Sequence, residues 1–497
     1  MPEPAAPLVT TEAGTLSGLA VGSGVDAFLG IPYAAPPVGP RRFAPPVAPE
    51  PWGGIRPADR HGPAPIQGGG SPGRALLDLS VPLQSEDCLN LCVWTPTLDR
   101  AARLPVLVWL HGGAFLTGAN SVPAYDGARL AARGVVVVSV NYRLGLFGWL
   151  RHRSLGADGN QGLDDQQLAL QWVHREIANF GGDADNITLL GNSAGGGSIA
   201  AHLAAAGPHT RLCRRVVLQS GAYNLIGTVD EADATVERLE RHLGTPPASW
   251  RSLSTEQLRE AQDVATPRSG GVFYRPVADG VRLPAEPAAQ LQRNSPPVGM
   301  LIGSNAEEYG FFWGRDERFD TVSDEQLLSI IGRWHTEPRE VVDRYRRARQ
   351  ERGEPADNRS IGLVAAGDVM FRVPSMALAG WHSSRAATFA YRFDWASPLY
   401  GGLIGAAHVL EVPFVFGTYD HPTVAAYTGF DVRPDAVAAL SEEVASAWVR
   451  FASTGDPGWP RYDVAERTTR IFDAASRLER DPAGPERQCW DPTALRR

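Results

Sequence analysis

Apolar residues fall along this chain mostly in short, nearly unbroken runs. Leu104–Leu110, Val135–Val140, Ile187–Leu190, Val216–Leu218 and Val298–Gly303 are such runs, and Ala387–Trp395 reads as a late strand. Runs without polar alternation suit the strands of a sheet covered on both faces. Between them the spacing turns helical. Asp164–Asn179 sets Leu168, Trp172, Val173 and Ile177 on one face with Leu170 beside it, and Gly181-Gly182 stops it. Residues 437–453 repeat the pattern, and residues 321–383 read as largely helical. Residues 224–270 are more polar, with helices over Ala232–Leu243 and Thr255–Val264.

At the start of the chain, Leu8–Thr11, Thr15–Val21 and Ala27–Leu29 read as an antiparallel edge meander punctuated by Gly14 and Gly18. Pro32–Pro51 is a proline-dense surface loop, residues 67–85 read as a mobile loop, and Leu91–Trp94 is a strand. There is no internal repeat. Strands alternating with helices predict an α/β fold: a mostly parallel twisted sheet with helices on both faces, in one domain over residues 1–497. Cap-like insertions are expected near 224–270 and 309–383.

Composition narrows the function. The chain has 497 residues, 43% hydrophobic and 21% charged, with a net charge of −8 that argues against a nucleic-acid partner. It contains no lysine, which excludes Schiff-base and Ser-Lys chemistry. No apolar run approaches the roughly 20 residues of a membrane span, and no signal peptide is visible at Met1-Pro2-Glu3-Pro4. The four cysteines, Cys88, Cys92, Cys213 and Cys489, are expected as unpaired thiols in a reducing compartment. A strand between Cys88 and Cys92 would turn both to one face, too far apart to bridge. No zinc-ligand spacing occurs, so neither metal nor cofactor is expected.

The chemistry centres on Gly191-Asn192-Ser193-Ala194-Gly195, a G-x-S-x-G pentapeptide between an apolar strand and a helix of small residues over Ser198–Ala204. A strand turning straight into a helix strains the residue at the turn and holds its hydroxyl at the tip of the sheet. Serine needs a base, the base an orienting acid, and the attacked carbonyl a set of donors. His111-Gly112-Gly113 ends an apolar strand, so the amides of Gly112, Gly113 and Ala194 would make an oxyanion hole. Among eleven histidines, His408 stands out in a small-residue loop ahead of Val412-Pro413-Phe414. Glu308 follows the strand ending at Gly303 and lies between Ser193 and His408, the chain order expected of such hydrolases. Glu307, Asp394 and Glu411 are its rivals; Glu411 is too near His408 in sequence to orient it easily. Phe115, Phe311, Phe312, Trp313, Trp395 and Phe414 are candidates for an apolar acyl pocket.

These motifs, taken with others in order, resemble the type-B carboxylesterases, which include cholinesterases and bacterial p-nitrobenzyl esterases. The others are Phe28–Ala34, Ser85–Leu91, Asn141-Tyr142-Arg143, Asn160–Leu163, Phe180–Asp183, Gln219-Ser220-Gly221, Pro276–Gly280 and Phe393-Asp394-Trp395. The resemblance implies the α/β-hydrolase fold and a Ser193–Glu308–His408 triad, with Ser220 supporting it from behind. The departures are specific. Asn192 stands where the family usually has Glu, and Tyr309 replaces a glycine. Residues 68–87 hold no Trp, which disfavours cationic choline esters, and Pro65 stands where secreted members carry the partner of Cys88. The expected protein is a cytoplasmic, bacterial-type serine esterase. It would be a monomer or homodimer that cleaves an uncharged, apolar small-molecule ester through an acyl-enzyme. A transacylase or cyclase using the same site, and a non-catalytic binding protein of the same fold, are the alternatives.

Overall fold

The computed structural model describes residues 6–68, 81, 83–205, 212–266, 273–313 and 321–492. Most of the glycine-rich loop read at 67–85 lies outside these residues, as do 267–270 and 314–320 of the two insertions.

An 11-stranded sheet runs through the molecule. Its strands in chain order are β1 (Leu19–Gly22), β2 (Val25–Pro32), β3 (Asn90–Thr95), β4 (Leu104–Leu110), β5 (Val136–Val140), β6 (Gly182–Asn192), β7 (Arg215–Gln219), β8 (Gly299–Asn305), β9 (Thr388–Phe393), β10 (Thr468–Phe472) and β11 (Arg477–Arg480). Across the sheet they stand β11-β10-β9-β8-β7-β6-β4-β5-β3-β2-β1. Neighbours from β10 to β5 are parallel, and those at both edges antiparallel. Register is tight beside the proposed chemistry, with Leu189 opposite Val108 and Asn192 opposite Gln219.

The unbroken apolar runs are explained by burial on both faces. Val106, Val108, Leu189, Val216 and Ile302 enter one core; Leu107, Trp109, Leu190, Val217 and Leu301 enter the other. Fully burying such side chains stabilises the fold by about 1.5–3 kcal/mol each, before chain entropy is subtracted. The first face is covered by α1 (Gln161–Glu176) and α2 (Ala194–Ala205). The second is covered by α9 (Val412–Phe416) and α10 (Pro434–Thr454). The insertion after β7 carries α3 (Val229–Leu243) and α4 (Thr255–Ala265), each opened by a capping box, at Thr228/Glu231 and Ser254/Gln257. The insertion after β8 carries α5 (Asp324–Ile331), α6 (Pro338–Glu351), α7 (Asn358–Gly367) and α8 (Val373–Ser383), which build a third apolar cluster.

Four expectations change. The Thr15–Val21 run splits at Gly18, where a Cβ would lie 2.5 Å from the Ala27 carbonyl oxygen. Its first half pairs with Leu8–Thr11 in a separate small sheet, and its second half becomes β1. Cys88 and Cys92 do not share a face: Cys88 precedes β3 and enters one core, while Cys92 enters the other. Helix α2 begins at Ala194 rather than Ser198, because the turn at Ser193 leads directly into it. Finally, Asn358–Ser383 is one continuous helix long and apolar enough to cross a membrane, yet 83% of its apolar window is buried inside the protein, as befits a core helix.

Candidate active site

Ser193 stands between β6 and α2 with φ of 55°, the left-handed region that a non-glycine residue adopts only under constraint. Its neighbours show the constraint. A Cβ on Gly195 would lie 2.0 Å from the Leu110 carbonyl oxygen, and one on Gly191 would lie 2.7 Å from the Gly195 carbonyl carbon. The two motif glycines therefore let α2 press against the ends of β4 and β6. The Ser193 amide donates to Gln219 O at 2.8 Å, so the turn is also tied to β7.

The β4 end meets this turn. A Cβ on Gly112 would lie 3.1 Å from Ser193 Cβ, so the Gly112 backbone passes directly beside the serine. Gly113, Ala114 and Phe115 all have positive φ, at 118°, 54° and 60°. This strained loop is held by Leu116 N and Thr117 N donating to Gly113 O. His111 anchors its start. Its ring stacks on Tyr142 at 4.5 Å, and its Nδ1–H donates to Gly112 O at 2.8 Å. Burial pushes the His111 imidazole down to about 4, so it is neutral near pH 7. Ala194, at the first turn of α2, is fully buried.

The structure brings His408 and Glu308 together. His408 Nδ1–H donates to Glu308 Oε2 at 2.6 Å, both side chains are buried, and Glu308 Oε1 accepts the Asn305 amide at 2.7 Å. This bond selects the tautomer that leaves Nε2 unprotonated. Glu307 is distinguished from Glu308 by direction: its Oε2 accepts from Ala406 N at 2.8 Å, pinning the loop that carries His408. Asp394 pairs with Arg392 and Arg477 instead. Tyr309 does not disturb the turn; its ring leaves to pack against Phe312, Trp313 and Phe371.

Glu411, the third rival, forms a buried junction. Oε1 accepts the side-chain amides of Asn192 at 2.8 Å and Gln219 at 3.0 Å, and Oε2 accepts that of Asn305 at 2.8 Å. Asn305 also donates to Ala407 O at 2.6 Å. One carboxylate thus ties the residue before Ser193 to the β7 end, the Glu308 turn and the His408 loop. Burial, with the nearby Glu308 charge, pushes the Glu411 carboxyl up, while the amides oppose the shift. Ser220, at φ of 50°, follows β7, and its Oγ is buried without a hydrogen-bond partner among the described residues.

The aromatic candidates divide. Phe311 and Phe312 set their rings 5.9 and 5.5 Å from the His408 ring, and Trp313 packs on Tyr309. Phe115 packs edge-on against Trp149. Trp395 and Phe414 pack against one another in the second core, with Trp395 Nε1 donating to Thr428 O, so they act as framework and do not line the site. Sequence reasoning missed Phe371, whose ring stacks on His408 at 4.5 Å. Nothing in a largely helical stretch marks one phenylalanine as facing a histidine. No group of three or more His, Cys, Asp or Glu side chains arranged to hold a metal occurs among the described residues.

Known proteins resemble this chain along nearly its whole length. Residues 5–481 match the carboxylesterase family. The chain is 37% identical to the para-nitrobenzyl esterase of Bacillus subtilis, over 97% of this chain and 98% of that one. It is 33% identical to the phenmedipham hydrolase of Pseudarthrobacter oxydans, with the same coverage. Among solved structures, a carboxylesterase of Geobacillus stearothermophilus superposes with a TM-score of 0.86 at 36% identity, covering 97% of this chain and all of that one.

Proposed function

Because the chain belongs to the carboxylesterase family, we propose that it cleaves its ester with Ser193 as nucleophile, His408 as general base and Glu308 as the orienting acid. The observation that carries this is the buried His408 Nδ1–Glu308 Oε2 bond, in a loop joined through Glu411 to the residue preceding a strained serine. Ser193 Oγ attacks the ester carbonyl as His408 Nε2 takes its proton. The backbone N–H groups of Gly112, Gly113 and Ala194 receive the developing oxyanion. The imidazolium, stabilised by Glu308, protonates the leaving alkoxide and an acyl-Ser193 remains. Water, deprotonated by His408, then releases the acid. Ser220 and Asn192 support the turn from behind.

The phenyl rings beside His408 favour an uncharged, apolar acyl group, and p-nitrobenzyl esters are suitable first substrates by analogy with the Bacillus relative. A reducing compartment is supported by the four unpaired thiols, and the protein is proposed to act as a monomer or homodimer. Labelling with a fluorophosphonate followed by peptide mass spectrometry tests the assignment. Modification is expected at Ser193 in the folded protein, not after denaturation, and Ser193→Ala is expected to lose turnover with the fold intact. Substantial residual turnover in that variant overturns the reading, and a transferred or cyclised product in place of free acid overturns hydrolysis.

A further inference from the structure

The helix that backs the triad is not uniform. Between the α-helical stretches α7 and α8, residues Asp368–Arg372 form a single π turn. Such turns are rare, cost hydrogen-bond geometry and concentrate at functional sites. Here the turn lies against the proposed acid and base. Just before it, a Cβ on Gly367 would lie 3.2 Å from Glu308 Cβ; within it, Phe371 stacks on the His408 ring at 4.5 Å with 28° between planes. One helix therefore touches the acid with a bare backbone and the base with an aromatic face.

The turn is held from three sides. Asp368 and Arg372 form a buried pair, Oδ1–Nε 2.5 Å and Oδ2–Nη2 2.7 Å. Tyr345 Oη donates to Asp368 Oδ2 at 2.5 Å and itself accepts from Trp490 Nε1 at 2.6 Å. Arg372 Nη1 donates to the carbonyls of Pro482 and Ala483. The Met370 carbonyl accepts the Asn224 side-chain amide at 2.8 Å. A distortion supported by the C-terminal segment and by both insertions has been given a fixed shape, and that shape delivers Phe371.

We propose that Phe371 is a positioning residue for the catalytic imidazole. The inference rests on His408 being the base. The Nδ1 bond to Glu308 holds one atom of the ring and leaves rotation about that bond; a parallel phenyl face removes this freedom and keeps Nε2 aimed. The same face stabilises positive charge, so it favours the imidazolium formed in the transition state over the neutral ring of the resting enzyme. Phe311 and Phe312 also lie near the ring, at 5.9 and 5.5 Å but at steeper angles, 69° and 33°; the titratable groups nearby are the carboxylates of Glu308 and Glu411 and the Tyr427 hydroxyl, which donates to His408 O.

The test compares Phe371→Leu, which keeps apolar bulk without the aromatic face, with Phe371→Tyr, which keeps the face. Acetate and octanoate esters of p-nitrophenol serve as substrates. Phe371→Leu is expected to lower kcat about 5- to 30-fold on both esters with KM within about twofold, and Phe371→Tyr to restore the rate. Unchanged kcat in Phe371→Leu overturns the proposal. So does a loss confined to one acyl length, which would make Phe371 a pocket wall, or an equal loss in Phe371→Tyr. If Phe371→Leu fails to fold, Phe371→Met repeats the comparison. Turnover retained in His408→Ala would instead overturn the assignment of the base.

Discussion

Asn192 donates its side-chain amide to Glu411 Oε1 across 2.8 Å in a fully buried setting, and this bond joins the strand that carries Ser193 to the segment that carries His408. The pairing accounts for an uncharged residue before the serine. Glu411 already brings one carboxylate into that space, and the amides of Asn192, Gln219 and Asn305 satisfy it without a second charge. Asn192→Asp would set two carboxylates face to face, so one must hold a proton in the folded state. The folded protein then binds more protons than the unfolded chain, and the variant loses stability as pH rises. We expect a deficit of about 1–3 kcal/mol against wild type at pH 8, shrinking toward pH 5. Denaturant unfolding at the two pH values checks it; a deficit independent of pH refutes it.

Glu411→Gln replaces an oxygen acceptor with an NH2 group facing amide donors. The expected result is a kcat lowered about 10-fold or more with KM nearly unchanged, because the junction orients catalytic elements and does not bind substrate. Steady-state kinetics on one ester decides this, and an unchanged kcat would show that the strand and the His408 loop hold their places without it.

The Gly195 position tolerates no side chain. A Cβ would lie 2.0 Å from the Leu110 carbonyl oxygen, a backbone atom just ahead of the His111-Gly112-Gly113 loop proposed to supply oxyanion donors. Gly195→Ala must displace either α2 or the β4 end, at a cost of about 1–3 kcal/mol or more. It is expected to lower kcat/KM at least about 100-fold, the scale of losing one oxyanion donor. Near-native turnover in a folded variant would mean the donors lie elsewhere.

His111 gives the fold a defined acid sensitivity. Its buried imidazole is held down to about 4 in the folded state, against 6.5 for a free side chain. Between these values the unfolded chain takes up a proton that the folded one refuses, so stability falls as pH drops from 6.5 to 4. This residue contributes about 3 kcal/mol over that window. His61 and His382, also pushed down by burial, act in the same sense. Stability from denaturant titration should rise from pH 4 to 6.5, with a smaller rise in His111→Gln; an equal rise in both refutes the assignment to His111.

Asp368 and Arg372 test the framework beneath Phe371. Asp368→Asn leaves a buried guanidinium without its anion and should cost about 3–5 kcal/mol. A thermal melt measures it. A loss below about 1 kcal/mol would show the Arg372 charge to be neutralised by other groups.

Much of this protein was legible in the order of its residues. Runs such as Leu104–Leu110 and Val135–Val140 announce strands buried on both faces, because no polar alternation interrupts them. Gly191–Gly195 and His111-Gly112-Gly113 are local motifs whose geometry depends on neighbours in the chain, so a linear reading recovers them. Glu308 could be preferred over Asp394 by its place after β8 and over its neighbour Glu307 by the family resemblance, but the physical difference, which carboxylate turns toward His408 and which toward the Ala406 amide, exists only in the fold. The role of Glu411 lay beyond such reading: its partners stand at 192, 219 and 305, and hydrogen bonds over these separations exist only once β6, β7 and β8 lie side by side. The opposite faces of Cys88 and Cys92 turned on where a strand begins, which its ladder partners settle. Phe371 depends on a π turn, and what holds that turn comes from Asn224, Tyr345, Pro482 and Trp490. Residues that act through their own backbone neighbourhood could be found in the chain; those that act through contacts between distant segments became visible only when the fold brought the segments together.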